Sequence, residues 1–249
     1  MKNRLDKLLH ERGLAPSRER AQALILAGRV LVNEQKVDKP GVSIDEASLL
    51  RVLGEEQRYV SRGGLKLEAA LSHWQIALEG RYCADIGAST GGFTDCMLQH
   101  GAAGVVAVDT GYGQIAATLR KDPRVTLLER TNARFLQPGD LPRGISFFSM
   151  DVSFISATLV LPSVVDAVRQ NMADRVEAVV LVKPQFEAGR EHIGKGGIVQ
   201  DPQAHQLSID RVRRAMQDCG ASALSLMDSP IRGGSSGAGN QEFLLYGRF

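Results

Sequence analysis

Aromatic side chains are scarce. Phe, Trp and Tyr together supply 5% of the 249 residues, with one tryptophan among them. A hydrophobic core must then be built from Val, Leu, Ile and Ala, which suits layered α/β packing. Cysteine is rare too. Cys83, Cys96 and Cys219 are an odd number at wide spacing. They make neither a disulfide framework nor a CxxC metal pair, so no metal site is expected and a reducing compartment fits. Long apolar runs are missing. The longest stretches, such as 102–108 and 178–182, are strand-sized, far below the roughly 18 residues that span a bilayer. The opening MKNRLDKLLHERG has charges among its leucines and no apolar signal-peptide core. These absences argue against a disulfide-stapled secreted domain and a helical membrane protein. The expectation is a cytoplasmic protein with no membrane partner.

What is present is ordinary for a globular chain: 43% hydrophobic, 23% charged and 26 glycines. The length suits a small domain joined to a medium one. An excess of one charge is lacking overall, at net +2. That small excess sits at the front, where residues 1–36 hold 8 basic and 4 acidic side chains.

The front reads as two short helices and several short strands. Leu5, Leu8 and Leu9 recur at helical spacing, with Arg4, Lys7 and Arg12 off the stripe. Gly13 stops this helix. Ser17 caps a second one, whose face is Ala21, Leu24 and Ile25, flanked by Arg18, Arg20 and Arg29, and which ends at Gly28. Strands are expected at Val30–Val32 and 48–52, with a turn at 33–35 and a break at 39–41. RLDKLL (4–9), SRERAQALILAGRVLVN (17–33) and VDKPG (37–41) resemble the RNA-binding module first known from ribosomal small-subunit protein four. The resemblance implies that Arg4, Lys7, Arg12, Arg18, Arg20 and Arg29 grip RNA phosphates, as a basic face can do on an A-form helix without reading sequence. A polar linker is expected at 54–58, giving domains over 1–58 and 59–249.

From residue 82 strand-like runs alternate with helical ones. Strands are expected at Tyr82–Ile86, Gly104–Val108, Val125–Leu128, Ile145–Met150, 178–182, 223–227 and 242–246. Helices are expected up to residue 100 after the glycine turn, then over 114–120, 157–170 and 202–219. This alternation predicts an α/β fold with a mainly parallel sheet covered on both faces. The first strand runs into Asp85-Ile86-Gly87-Ala88-Ser89-Thr90-Gly91-Gly92-Phe93. Glycines there let backbone approach a ligand closely. Asp109 ends the next strand, where a carboxylate can take ribose hydroxyls. The turn is not GxGxxG, and Asp85 adds negative charge ahead of it, which suits a cationic ligand better than a pyrophosphate. S-adenosylmethionine, with its amino group and sulfonium, is therefore preferred to NAD. DIGASTGGFTD (85–95) resembles the first motif of class I methyltransferases. That implies a seven-stranded Rossmann-like sheet with the last strand antiparallel, between the fifth and sixth.

In such a sheet ligands sit beyond the carboxyl ends of the strands. Asp151 and Lys183 follow their strands directly, and Glu242 starts the last one after the glycine-rich stretch 233–239. Lys66 lies near the start of a helix whose apolar face is Leu67, Ala70, Leu71 and Trp74. It sits off that stripe, where a cation meets the positive end of the helix dipole. Taken alone it reads as a surface lysine. Together, Lys66, Asp151, Lys183 and Glu242 resemble the K-D-K-E tetrad of ribose 2′-O-methyltransferases. The resemblance makes Lys183 the base for a ribose hydroxyl, Asp151 its neighbour toward the cofactor, and Lys66 and Glu242 the pair that positions the hydroxyl and holds Lys183.

SRGGLKL (61–67), GASTGGFTD (87–95), ERTNAR (129–134), DVSFIS (151–156), LVKPQFE (181–187) and GGIVQDP (196–202) are similar to the TlyA family over nearly the whole chain. That family joins the same RNA-binding module to an FtsJ-like methyltransferase domain and methylates cytidine 2′-hydroxyls in ribosomal RNA. It implies an adenine-side contact at Asn132 and Phe154 close to the cofactor. The chain resembles the shorter of two subtypes, for which large-subunit rRNA is the expected substrate. The family also carries the label haemolysin, yet neither a long apolar helix nor a ladder of alternating strands is visible. A non-catalytic RNA-binding protein is argued against by the four intact tetrad residues. A small-molecule methyltransferase leaves residues 1–55 without a role.

Overall fold

The structure is a computed structural model that describes residues 2–53, 58–169, 175–233 and 239–249. The chain divides into two units, Met1–Glu56 and Gln57–Phe249. Of the linker expected at 54–58, residues 54–57 lie outside the described residues, as do Gln170 and residues 234–238 of the glycine-rich stretch.

In the first unit a short strand β1 (Lys2–Arg4) leads into α1 (Leu5–Glu11), which buries Leu5, Leu8 and Leu9. Gly13, at φ +70°, takes the chain out of it. The Ser17 hydroxyl accepts the Arg20 N–H at 3.2 Å and caps α2 (Arg18–Leu26), whose buried face is Ala21, Leu24 and Ile25. Then follow β2 (Val30–Val32), β3 (Gln35–Lys36), β4 (Ser43–Asp45) and β5 (Leu50–Val52). Asn33 and Glu34 both take left-handed backbone between β2 and β3, the conformation that a two-residue hairpin turn requires. The strands form two small antiparallel sheets, β1–β4 and β3–β2–β5. Strands β1, β3 and β4 were not foreseen, because their residues (KNR, QK and SID) are almost all polar and exposed and make no apolar run; Gln35, expected in the turn, is the first residue of β3. The strand expected over 48–52 shortens to Leu50–Val52.

The second unit opens with α3 (Gly63–His73) and alternates β6 (Tyr82–Ile86), α4 (Gly92–Gln99), β7 (Gly104–Val108), α5 (Ala117–Arg120), β8 (Val125–Leu128), β9 (Ile145–Met150), α6 (Leu161–Arg169), β10 (Glu177–Val182), α7 (Pro184–Glu187), α8 (Pro202–Asp218), β11 (Ser222–Asp228) and β12 (Phe243–Arg248). The seven strands order as β11-β12-β10-β9-β6-β7-β8, parallel except for β12. Apolar runs make this possible: every residue of β7 is buried, as a parallel strand covered on both faces requires. One core cluster joins α6 and α8 to the sheet, and another joins α3 and α4.

Two helices differ from expectation. The segment 114–120 becomes helical only at Ala117, since Ala116, whose N–H is donated to the Thr90 carbonyl at 3.1 Å, has ψ 139°, outside the helical region. The segment 157–170 splits into a 3-10 turn at Ala157–Leu159 and α6, with Pro162 in the first turn of α6, where a missing N–H is tolerated.

Register sets up the site. Ile86 pairs with Met150, so the ends of β6 and β9 lie side by side, at the point where chain crossovers leave in opposite directions. Val182 pairs with Phe243, so the end of β10 meets the start of antiparallel β12. Asp151, Lys183 and Glu242 therefore share one sheet edge.

Candidate active site

The loop after β6 touches the loop after β9 through backbone. A Cβ on Gly87, which has φ +87°, would lie 2.4 Å from the Asp151 carbonyl oxygen. At Gly92 a Cβ would lie 2.2 Å from Ser61 Oγ and 3.0 Å from the Gly64 nitrogen. These two glycines thus make room for the chain's own loops as well as for a ligand. The second lets the start of α3 settle on the start of α4, and this contact brings Lys66 inward.

Lys66 is consequently buried rather than superficial, at 8% exposure. Its Nζ lies 2.5 Å from Glu242 Oε2, and Glu242 is 2% exposed. Pairing is what makes burial of both charges tolerable. The second pair is Lys183 and Asp151, at 2.6 Å from Nζ to Oδ1. That contact is off the line of a hydrogen bond, leaving the buried Oδ1 without a donor. Lys183 instead donates to Ser153 Oγ at 2.7 Å. Lys66, Asp151, Lys183 and Ser153 line one cavity of about 220 Å³, together with Asp85 and Gly87, Ala88, Ser89, Gly92 and Phe93.

Asp85 has no solvent exposure. It accepts the Thr94 N–H at 2.8 Å, the Thr94 hydroxyl at 2.7 Å and the Ser149 hydroxyl at 3.3 Å. Burial nevertheless pushes its carboxyl up to about 7, with the neighbouring Asp151 adding to the rise.

A larger cavity of about 360 Å³ adjoins the first and shares Gly87, Ser89, Asp151 and Ser153 with it. Its volume is in the range of small-molecule sites. Asp109, Asn132 and Phe154 are on its walls. Asp109 accepts the Ser89 N–H at 2.8 Å and the Gly111 N–H at 2.6 Å, which orients the carboxylate. Asn132 Oδ1 accepts the Arg134 N–H at 3.1 Å, capping a turn. Phe154 is 92% exposed and has φ +64°, with its ring tilted against Phe186 at 5.4 Å. Gly91, at φ +95°, forms the N-cap of α4 and lies on neither wall. The walls suit a cationic nucleoside: two carboxylates, one with an oxygen lacking a donor, stand in the smaller cavity, and an oriented carboxylate stands in the larger.

Ser153, Thr94 and Glu187 were not foreseen. Glu187 is 5% exposed and accepts the Ser156 hydroxyl at 2.5 Å and the Ala157 N–H at 2.7 Å. Burial raises its carboxyl above the ordinary range. It was quoted only as the last residue of LVKPQFE (181–187), with no role given to it.

In the first unit most of the six basic candidates have partners within the unit. Arg4 and Arg18 reach Asp6 at 2.9 and 3.2 Å, and Lys7 faces Glu11 at 3.4 Å. Arg12 donates to the Ser48 carbonyl at 2.9 Å and to the Glu46 carbonyl. Arg29 donates to the Leu53 carbonyl at 2.9 Å. Arg20 lies on α2 and is half-buried. Among the described residues no group of metal-ligating side chains meets, and no helix is long and apolar enough to cross a membrane.

Comparison with known proteins adds to this geometry. The profile of the FtsJ-like methyltransferase family matches residues 59–249, and that of the S4 domain matches residues 3–47. A Bacillus subtilis rRNA methyltransferase candidate, YqxC, is 49% identical over 98% of this chain and 85% of its own. The Mycobacterium tuberculosis 16S/23S rRNA (cytidine-2′-O)-methyltransferase TlyA is 44% identical over 98% of this chain and 88% of its own. A solved hemolysin candidate from Streptococcus thermophilus is 45% identical with a TM-score of 0.73, covering 99% of this chain and 88% of that one.

Proposed function

The chain belongs to the FtsJ-like methyltransferase family, and from that premise we propose that it methylates the 2′-hydroxyl of a cytidine ribose in ribosomal RNA, with S-adenosylmethionine as methyl donor. The observation that carries the reading is the pair of buried lysine–carboxylate contacts, Lys66–Glu242 and Lys183–Asp151, at one sheet edge. A methyltransferase acting on an acidic proton needs no such base, whereas a ribose hydroxyl keeps its proton at neutral pH.

Asp85 is the proposed partner of the cofactor's amino group, Asp109 of its ribose, and Asn132 of its adenine; Gly87, Ala88, Ser89, Gly92, Phe93 and Phe154 complete the walls. When bound, S-adenosylmethionine supplies an electrophilic methyl group on its sulfonium. Lys183 enters as the free amine. As the oxygen–carbon bond forms, the methyl carbon–sulfur bond of the donor would break to leave a neutral thioether, and the hydroxyl proton would pass to Lys183. The lysine leaves as an ammonium that Asp151 and Ser153 are placed to hold. Lys66 donates to the hydroxyl oxygen, and Glu242 fixes Lys66. The S4 unit supplies RNA affinity, and work on ribosomal RNA puts the protein in the cytoplasm.

The test is transfer of tritium from labelled S-adenosylmethionine to purified ribosomal subunits, offered separately. Label in ribose 2′-O-methylcytidine of the large subunit is the expected result. Label in both subunits would widen the substrate. No label in either, with cofactor bound, would overturn the proposal.

A further inference from the structure

The first unit buries one carboxylate completely. Asp6, in the first turn of α1, has no exposed surface. Its Oδ1 accepts Arg4 Nε at 3.0 Å and the Lys7 N–H at 2.9 Å. Its Oδ2 accepts Arg4 Nη2 at 2.9 Å, Arg18 Nη2 at 3.2 Å and Gln22 Nε2 at 2.8 Å. The Arg4 hydrogen bonds hold this carboxyl well below the usual range, with Gln22 and Arg18 adding to the effect. A buried carboxylate needs partners, but this one has more cation than neutrality requires. Two guanidinium groups face one anion, so the cluster keeps one positive charge.

That surplus points outward. The side chains of Arg4 and Arg18 are 51% and 48% exposed. Arg4 spends its Nε–Nη2 edge on Asp6, and Arg18 spends one Nη2. Among the described residues, the remaining guanidinium nitrogens of both make no hydrogen bond. Two such cations, one at the end of β1 and one at the start of α2, would repel each other and move freely without the anion between them. Held by it, they lose their rotamer freedom on folding rather than on binding, which is the basis of preorganisation.

We propose that Asp6 is a positioning residue for RNA, gathering Arg4 and Arg18 into one fork that accepts a backbone phosphate. This rests on the reading of the first unit as RNA-binding and adds how its charge is presented. Gln22, which completes the hydrogen bonding of Asp6, belongs to the same device.

Charge alone and positioning make opposite predictions. Asp6→Asn adds one unit of positive charge, so simple attraction tightens RNA binding. Positioning predicts the reverse: binding weaker by about tenfold or more, with a salt slope shallower by about one. The full-length chain is titrated with a fluorescent A-form RNA duplex over a range of KCl, alongside Arg4→Ala and Arg18→Ala. Asp6→Asn is also placed on the Arg4→Ala/Arg18→Ala background, where positioning predicts no further loss, whereas a merely unfolded unit would add its own. If both arginine variants bind like wild type, the RNA reading of this face fails. If they weaken while Asp6→Asn binds equally or more tightly, that reading stands and the positioning role is overturned. Amide exchange at Leu8, Leu9 and Ile25 checks the fold. Should Asp6→Asn lose that protection, Asp6→Glu takes its place: it keeps the charge and moves the carboxylate by one methylene. Weaker binding supports the fork, and wild-type binding overturns it.

Discussion

At the scale of the residue, the proposed role of Asp85 would set stability against function. Its carboxyl is raised to about 7 by burial. Between roughly pH 4 and 7 the unfolded chain has lost this proton and the folded chain keeps it. The folded state binds more protons in that window, so stability falls as pH rises through it, and the full penalty applies above about 7. Asp85→Asn removes the titration. Its Tm is expected to exceed that of the wild type by about 2 °C or more near pH 8, with the gap closing toward about pH 4. The cost falls on the cofactor. A cationic amino group binds the ionised carboxylate, so wild-type affinity for S-adenosylmethionine should weaken about tenfold from about pH 8 to about pH 6, and the variant's weaker affinity should stay flat. Calorimetric titration at both pH values reads this, and a flat wild-type profile would remove Asp85 from the amino-group site. Lys183 makes the complementary case. As a base it touches substrate and not cofactor, so Lys183→Ala should lower transfer by at least about 10²-fold and leave cofactor affinity within a few-fold. Normal turnover in a tritium assay would sink the base assignment.

At the scale of the element, the loop at 151–157 and the segment 183–187 are fastened along their length. Lys183 binds Ser153, Phe154 leans on Phe186, and Glu187 holds Ser156 and Ala157. The last contact lies outside the cavities but sets how the two strand ends face each other. Glu187→Ala leaves the buried Ala157 N–H without an acceptor, at a cost of about 1–3 kcal/mol. The expectation is a Tm lower by several degrees and a turnover lower by about tenfold, with cofactor affinity nearly unchanged. Glu187→Gln keeps an acceptor oxygen and should recover most of both. A fall in Tm with full turnover would show that the seam supports the fold without setting the reacting geometry. This seam also marks where reading letters stops. Strand ends such as Asp151 and Lys183 were legible because buried parallel strands are continuous apolar runs, and a charge after one stands out. The burial of Lys66 was not legible, since helical periodicity put it off the apolar stripe. Its inward position depends on α3 docking at Gly92, a contact between residues far apart in sequence. Thr94, Ser153 and Glu187 act through side-chain hydrogen bonds, which leave no periodic trace. The short strands β1, β3 and β4 escaped notice because, unlike β2 and β5, they carry almost no apolar side chains.

At the scale of the whole molecule, the two units have separate cores. Leu5, Leu9, Ile25 and Val30 belong to one cluster, and the sheet of the second unit is packed by two others. The proposed cofactor walls all lie between residues 61 and 183. The excess of basic residues, by contrast, lies in the first 36. Affinity for the cofactor and affinity for RNA should therefore separate on truncation. A chain lacking residues 1–56 is expected to bind S-adenosylmethionine within about twofold of the full chain, which also shows that it is folded. Its affinity for large ribosomal subunits should drop by about 10- to 100-fold. The decisive quantity is the slope of log affinity against log salt, which scales with the number of phosphates neutralised. If the first unit is the anchor, the slope becomes shallower by about one for each phosphate that the truncated chain no longer neutralises. A weaker complex with the same slope would mean that residues 57–249 grip the phosphates, and Arg4, Arg18, Arg12 and Arg29 would then be left with the work of holding Asp6 and the carbonyls around them.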